Sequence, residues 1–76
     1  MTLENIKVGE NGKIKSIGGS GALRRRLLDM GLTPNTVIQV IRTAPMGDPL
    51  VLHLRGYELT LRKEDAMHVQ VEELTV

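Results

Sequence analysis

Between Leu50 and Arg62 apolar and polar residues alternate: Leu50, Leu52 and Leu54 come first, then Tyr57, Leu59 and Leu61 beyond Arg55-Gly56. A period of two marks a half-buried strand, and two such runs separated by two turn residues predict a β-hairpin. With Arg55 and Gly56 at the turn, Leu54 faces Tyr57, Leu52 faces Leu59 and Leu50 faces Leu61, so every pair on one face is apolar. A slip of one residue would set leucines against Glu58 and Thr60, and the register is therefore well determined. A hairpin apolar on one side needs further strands to cover it.

Three segments can supply that cover. Thr36 to Thr43 (TVIQVIRT) and Met67 to Glu72 (MHVQVE) are rich in β-branched residues, and Gly12 to Ile17 (GKIKSI) is a weaker fifth strand. In the segment from Met67, the side chains of Met67, Val69 and Val71 are expected on one face and those of His68, Gln70 and Glu72 on the other. Lys63 to Ala66 (KEDA) lacks strand character and suits one helical turn before the final strand. Turn chemistry flanks the second strand, with Thr33-Pro34-Asn35-Thr36 before it and Ala44-Pro45-Met46-Gly47-Asp48-Pro49 after it. The whole chain, residues 1–76, then describes a single, mainly β domain: a small five-stranded SH3-like barrel.

The departure from period two is the segment Ser20 to Gly31. Ser20 is a suitable N-cap, and at 100° per residue Leu23, Leu27 and Met30 fall in a narrow arc that can lie on the barrel. Gly31 suits the left-handed C′ position, with Leu32 folding back on Leu27 in a Schellman arrangement. Gly18, Gly19 and Gly21 weaken the start of this inserted helix, so docking rather than propensity is expected to hold it.

Composition narrows the function. The chain has no Phe, Trp or Cys and one Tyr, so its core is aliphatic and it offers no stacking platform for bases. A net charge of +1 argues against a nucleic-acid partner. The lack of cysteine removes disulfides, thiolate metal sites and cysteine nucleophiles, and it fits a reducing compartment. No apolar run approaches the roughly 20 residues that span a bilayer, and Met1 to Gly12 has no signal-peptide core. The expectation is a cytoplasmic domain that meets a membrane only through a partner. Free edge strands would allow edge-to-edge pairing into a homo-oligomer.

No catalytic set stands out. Ser16 and Ser20 have no local base, and Gly18-Gly19-Ser20-Gly21 lacks the lysine and spacing of a phosphate loop. His53 falls opposite Glu58 on the outward face, and His68 faces outward from another strand, so neither a metal site nor a resident cofactor is expected. Arg24, Arg25 and Arg26 fan out around the helix, with Arg25 directed away from the buried stripe and Asp29 within reach of Arg25 or Arg26. The loop from Pro45 to Pro49, stiffened by two prolines, should carry Met46 near its tip. Two alternatives attach to that loop: Met46 folds over the barrel end as a plug, and Asp48 bonds its own backbone.

Three blocks in order, LRRRLLDMGLTP (Leu23 to Pro34), APMGDP (Ala44 to Pro49) and RGYELTLRKEDA (Arg55 to Ala66), resemble the FeoA family, ferrous iron transport protein A. Asn35 departs from the glycine common in that family after the proline, but asparagine also tolerates positive φ. The resemblance implies a non-catalytic cytoplasmic accessory protein of ferrous iron uptake that binds and modulates the cytoplasmic part of the FeoB transporter. On the matching positions it places a partner surface at Arg24 and Arg25 of the helix and at Met46, Gly47 and Asp48 of the loop. A second reading is a metal-sensing or regulatory domain like the C-terminal SH3-like domain of iron-dependent repressors.

Overall fold

The computed structural model describes residues 1–74. A 3-10 turn (Leu3–Asn5) precedes β1 (Asn11–Ile17), α1 (Gly21–Asp29), β2 (Val37–Thr43), β3 (Leu50–Leu54), β4 (Tyr57–Leu61), α2 (Lys63–Ala66) and β5 (Val69–Leu74). The strands form one antiparallel five-stranded sheet in the order β4-β3-β2-β1-β5.

The β3–β4 hairpin has the register its alternation dictates, with Leu50 opposite Leu61, Leu52 opposite Leu59 and Leu54 opposite Tyr57. Arg55 and Gly56 both take positive φ, 47° and 85°. Such a two-residue turn twists in the sense of its strands. Elsewhere the register shifts between Ile14 and Ser16 of β1 and between Val40 and Arg42 of β2. Bulges of this kind bend a strand and raise its twist, so the sheet curls around its own apolar face.

That face is filled by aliphatic side chains, among them Ile14, Ile38, Val40, Leu52 and Val69, all fully buried. Its open sides are closed from outside the sheet. Leu27 of α1 and Leu32 just after it are buried, with Leu23, Leu28 and Met30 packed beside them. The N-terminal turn adds buried Leu3 and Ile6, for which the sequence pattern predicted no element, and α2 adds Ala66.

Both ends of α1 are capped as expected. The Ser20 hydroxyl accepts the Leu23 N–H at 3.2 Å. At the other end the Gly31 N–H donates to the Leu28 carbonyl (3.0 Å) and the Leu32 N–H to that of Leu27 (3.1 Å), the paired bonds of a Schellman motif. Gly31 has φ +102°.

Met67 is a correction. The last strand begins at Val69, and Met67 caps α2, donating its N–H to the Lys63 carbonyl at 3.1 Å. It shares the parity of Val69 and Val71, but the helical turn swings it out to 55% exposure.

The two sheet edges differ. The outer edge of β5 is covered by the N-terminal segment, through a bridge between Thr2 and Gln70 and a 2.9 Å bond from the Val71 N–H to the Met1 carbonyl. The outer edge of β4 has no strand against it among the described residues.

Candidate partner-binding surface

Arg24 and Arg25 are exposed on α1, and among the described residues neither has a carboxylate at ion-pair distance. Arg26 does not pair with Asp29, as helical spacing had allowed, but donates to Asp65 of α2 at 3.0 Å. The partner lies 39 residues away in sequence, beyond the reach of a local rule. Arg26 thus ties α1 to α2, while its two neighbours remain directed at solvent.

The β2–β3 loop is tightly built. The Gly47 N–H donates to the Ala44 carbonyl at 2.7 Å, and the Ala44 N–H to that of Pro49 at 3.1 Å. Gly47, at φ +82°, supplies the reversal. Asp48 does not bond its own backbone: its Oδ1 accepts the Lys63 N–H at 2.8 Å, so one carboxylate anchors the loop to the first residue of α2. Met46 is not a plug over the barrel end but stands at the tip, 91% exposed.

Between helix and loop lies ground that the sequence reading missed. One shallow hollow is lined by Arg26 and Met30 of α1, Thr60 to Arg62, and Glu64 and Asp65 of α2. A second is lined by Asp48, Pro49, Thr60 and Arg62. They share Thr60 and Arg62, so the end of β4 forms a floor running from α1 to the loop. The available signal was the outward parity of Thr60 at a strand end just before a helical turn.

The hairpin is fastened to the helix exit by two further contacts. The Tyr57 hydroxyl donates to the Met30 carbonyl at 2.6 Å, and Arg55 Nη2 donates to the hydroxyls of Thr33 and Thr36, each at 2.9 Å. Tyr57 is therefore at a rim, 42% exposed, rather than in the core where its parity had set it. Thr36 is buried, and its hydroxyl is satisfied by Arg55 and Thr33. Glu58 lies opposite His53 as expected and reaches Arg42 at 3.5 Å, an exposed pair worth little. His68 follows α2 and lies beside Gly19. Among the described residues no group of three His, Asp or Glu side chains gathers for a metal, and no helix is long and apolar enough to cross a membrane.

A curled five-stranded antiparallel sheet with one helix inserted after its first strand and a helical turn before its last is an SH3-like domain. The same fold occurs in the zinc complex of FeoA from Stenotrophomonas maltophilia, described as a prokaryotic SH3 domain protein (24% identity, TM-score 0.81, 95% of this chain and 89% of that one). Residues 1–73 match the FeoA domain, and the chain belongs to the FeoA family of ferrous iron transport. An FeoA-like protein from Clostridium acetobutylicum is 38% identical, with a TM-score of 0.92 over 100% of this chain and 88% of that one. A fusion of Fe(2+) transport protein A with the Fe(2+) transporter FeoB in Porphyromonas gingivalis is 35% identical over 72 residues; these are 95% of this chain but 8% of the fusion protein. A manganese-dependent transcriptional repressor shares the fold alone (16% identity, TM-score 0.88, 97% of this chain and 36% of that one).

Proposed function

We propose that this chain is a non-catalytic, cytoplasmic accessory domain of ferrous iron uptake that binds the cytoplasmic part of the FeoB transporter, meets the membrane only through it and holds no cofactor of its own. The fusion in Porphyromonas gingivalis carries this reading. Joining two proteins in one chain holds them at a high effective concentration, to about the millimolar range for short linkers, and this serves function only if they act together. The contact surface is the solvent side of α1 at Arg24 and Arg25 with the loop at Met46, Gly47 and Asp48. A tightly bonded loop with an exposed methionine, together with two arginines that have no carboxylate partner among the described residues, has the make-up of a protein-binding surface. Asp48 acts there by shaping the loop.

The test is ferrous iron uptake in a strain lacking this protein, together with calorimetric binding of the purified domain to the cytoplasmic part of the transporter. Uptake should fall and be restored by the native chain, and a saturable complex should form. Normal uptake without the protein, or no complex, would count against the proposal.

The likeness to the manganese-dependent repressor favours a second reading, a metal-sensing regulatory domain. It requires a saturable site for ferrous or zinc ion that weakens when His53 or His68 is replaced.

A further inference from the structure

The edge of β4 is open, and its geometry specifies what could close it. In a hairpin with a two-residue turn, the residues flanking the turn exchange both backbone bonds, and hydrogen-bonded pairs recur at every second residue. Leu54–Tyr57, Leu52–Leu59 and Leu50–Leu61 are those pairs, so the N–H and C=O of Glu58 and Thr60 point away from β3. Among the described residues no strand or turn pairs with them.

Apart from the charge of Glu58, the usual means of blunting an edge are absent here. β4 carries no proline, lysine or bulge, and its register is regular along its whole length. The bulges fall instead in the interior strands β1 and β2, and the chain's own N-terminus covers the opposite edge.

From these observations we infer that the β4 edge is a β-augmentation site, taking one extended peptide segment of the partner as a sixth strand. Unpaired backbone donors and acceptors in strand geometry recognise another polypeptide backbone, which makes an extended peptide the fitting occupant. On the inner side, half-buried Leu59 and Met30 of α1 give an apolar side chain somewhere to rest. Arg26 is already held by Asp65 at 3.0 Å, but Arg62, 76% exposed and in only a loose 3.7 Å pair with Glu64 that contributes little, can exchange it for a carboxylate of the incoming strand. The occupant is thus a strand alternating apolar and acidic residues. A second copy of β4 is less suited, because strand-edge pairing alone buries little surface and α1 walls one side of the hollow. The partner's identity rests on the proposed function; the site rests on β4 alone.

Two probes separate the two ideas: the cytoplasmic part of the transporter, and a capped heptapeptide alternating valine and glutamate. Amide exchange and backbone shifts are followed by NMR on the native chain. With either probe, exchange at Glu58 and Thr60 should slow by roughly tenfold, the effect of one or two added backbone hydrogen bonds. Thr60→Pro removes an outward N–H that β3 does not use, a substitution edge strands accept, so the fold should persist while affinity drops roughly tenfold. Should that variant misfold, exchange in the native chain decides alone.

Complex formation with shifts confined to Met46 and Arg25 would overturn the inference and leave the proposed function intact. Peptide binding at β4 without transporter binding would do the reverse. Self-association in sedimentation that protects Glu58 and Thr60 without either probe, or no protection with either probe, would overturn the inference.

Discussion

Gly31 joins two requirements that a residue with a side chain would not meet. Its φ of +102° is a left-handed position that costs a side-chain-bearing residue about 1–2 kcal/mol. A Cβ there would also run into the Tyr57 hydroxyl, which donates to the neighbouring Met30 carbonyl at 2.6 Å. Gly31→Ala should therefore destabilise the domain by about 2 kcal/mol or more, read as a lower urea midpoint at unchanged m-value. Tyr57→Phe should cost about 1 kcal/mol for the lost hydrogen bond. In the double variant the clash is gone with the hydroxyl, so the combined loss should fall short of the sum by about 1 kcal/mol. Strict additivity would show that the hydroxyl does not restrict this position.

Among the elements, α2 depends most on a remote residue. Its N-terminal Lys63 N–H is received by Asp48, 15 residues earlier, and Asp65 accepts from Arg26 of α1. A turn of four residues cannot stand by its own hydrogen bonds, so these contacts hold it against the sheet end. Asp48→Ala should lower stability by about 1 kcal/mol, as removal of an N-cap acceptor does, and speed amide exchange at Lys63; Asp48→Asn, which keeps an acceptor oxygen, should lose less. The existence of α2 was legible in KEDA, and the hairpin in its alternating leucines, because both signals are local. Where the strand after α2 begins was not. Met67 matches the parity of Val69 and Val71, and only the helical bond to Lys63 distinguishes it. Leu3 and Ile6 were likewise invisible as core, since the segment Met1 to Gly9 has no period and is ordered by contacts with β2, β5 and α2.

In the whole molecule, the three blocks that resemble FeoA meet in space. RGYELTLRKEDA bonds to LRRRLLDMGLTP through Tyr57–Met30, Arg55–Thr33 and Arg26–Asp65, and to APMGDP through Lys63–Asp48. The fold reads from the sequence because strand and cap signals recur locally. The surface between helix and loop does not, because it arises where Thr60 and Arg62 are brought beside residues distant in the chain. Much of the recurring pattern is therefore accounted for by how helix, hairpin and loop are fastened together, and Met46 and Arg25 fall outside that fastening. Met46→Asp and Arg25→Glu should each alter stability by less than about 0.5 kcal/mol, as surface substitutions do, and shift Tm by no more than about 4 °C in a domain of this size. Burying a methionine side chain contributes about 1.5–3 kcal/mol, so Met46→Asp should weaken binding to the cytoplasmic part of FeoB by roughly tenfold or more. Arg25→Glu should act chiefly on the association rate and more strongly at low salt, since a rim charge steers encounter. Calorimetry of unfolding and of binding on the same samples separates the outcomes. Unchanged affinity with unchanged Tm would move the contact away from α1 and the loop, whereas a large loss of Tm would make these residues part of the fastening after all.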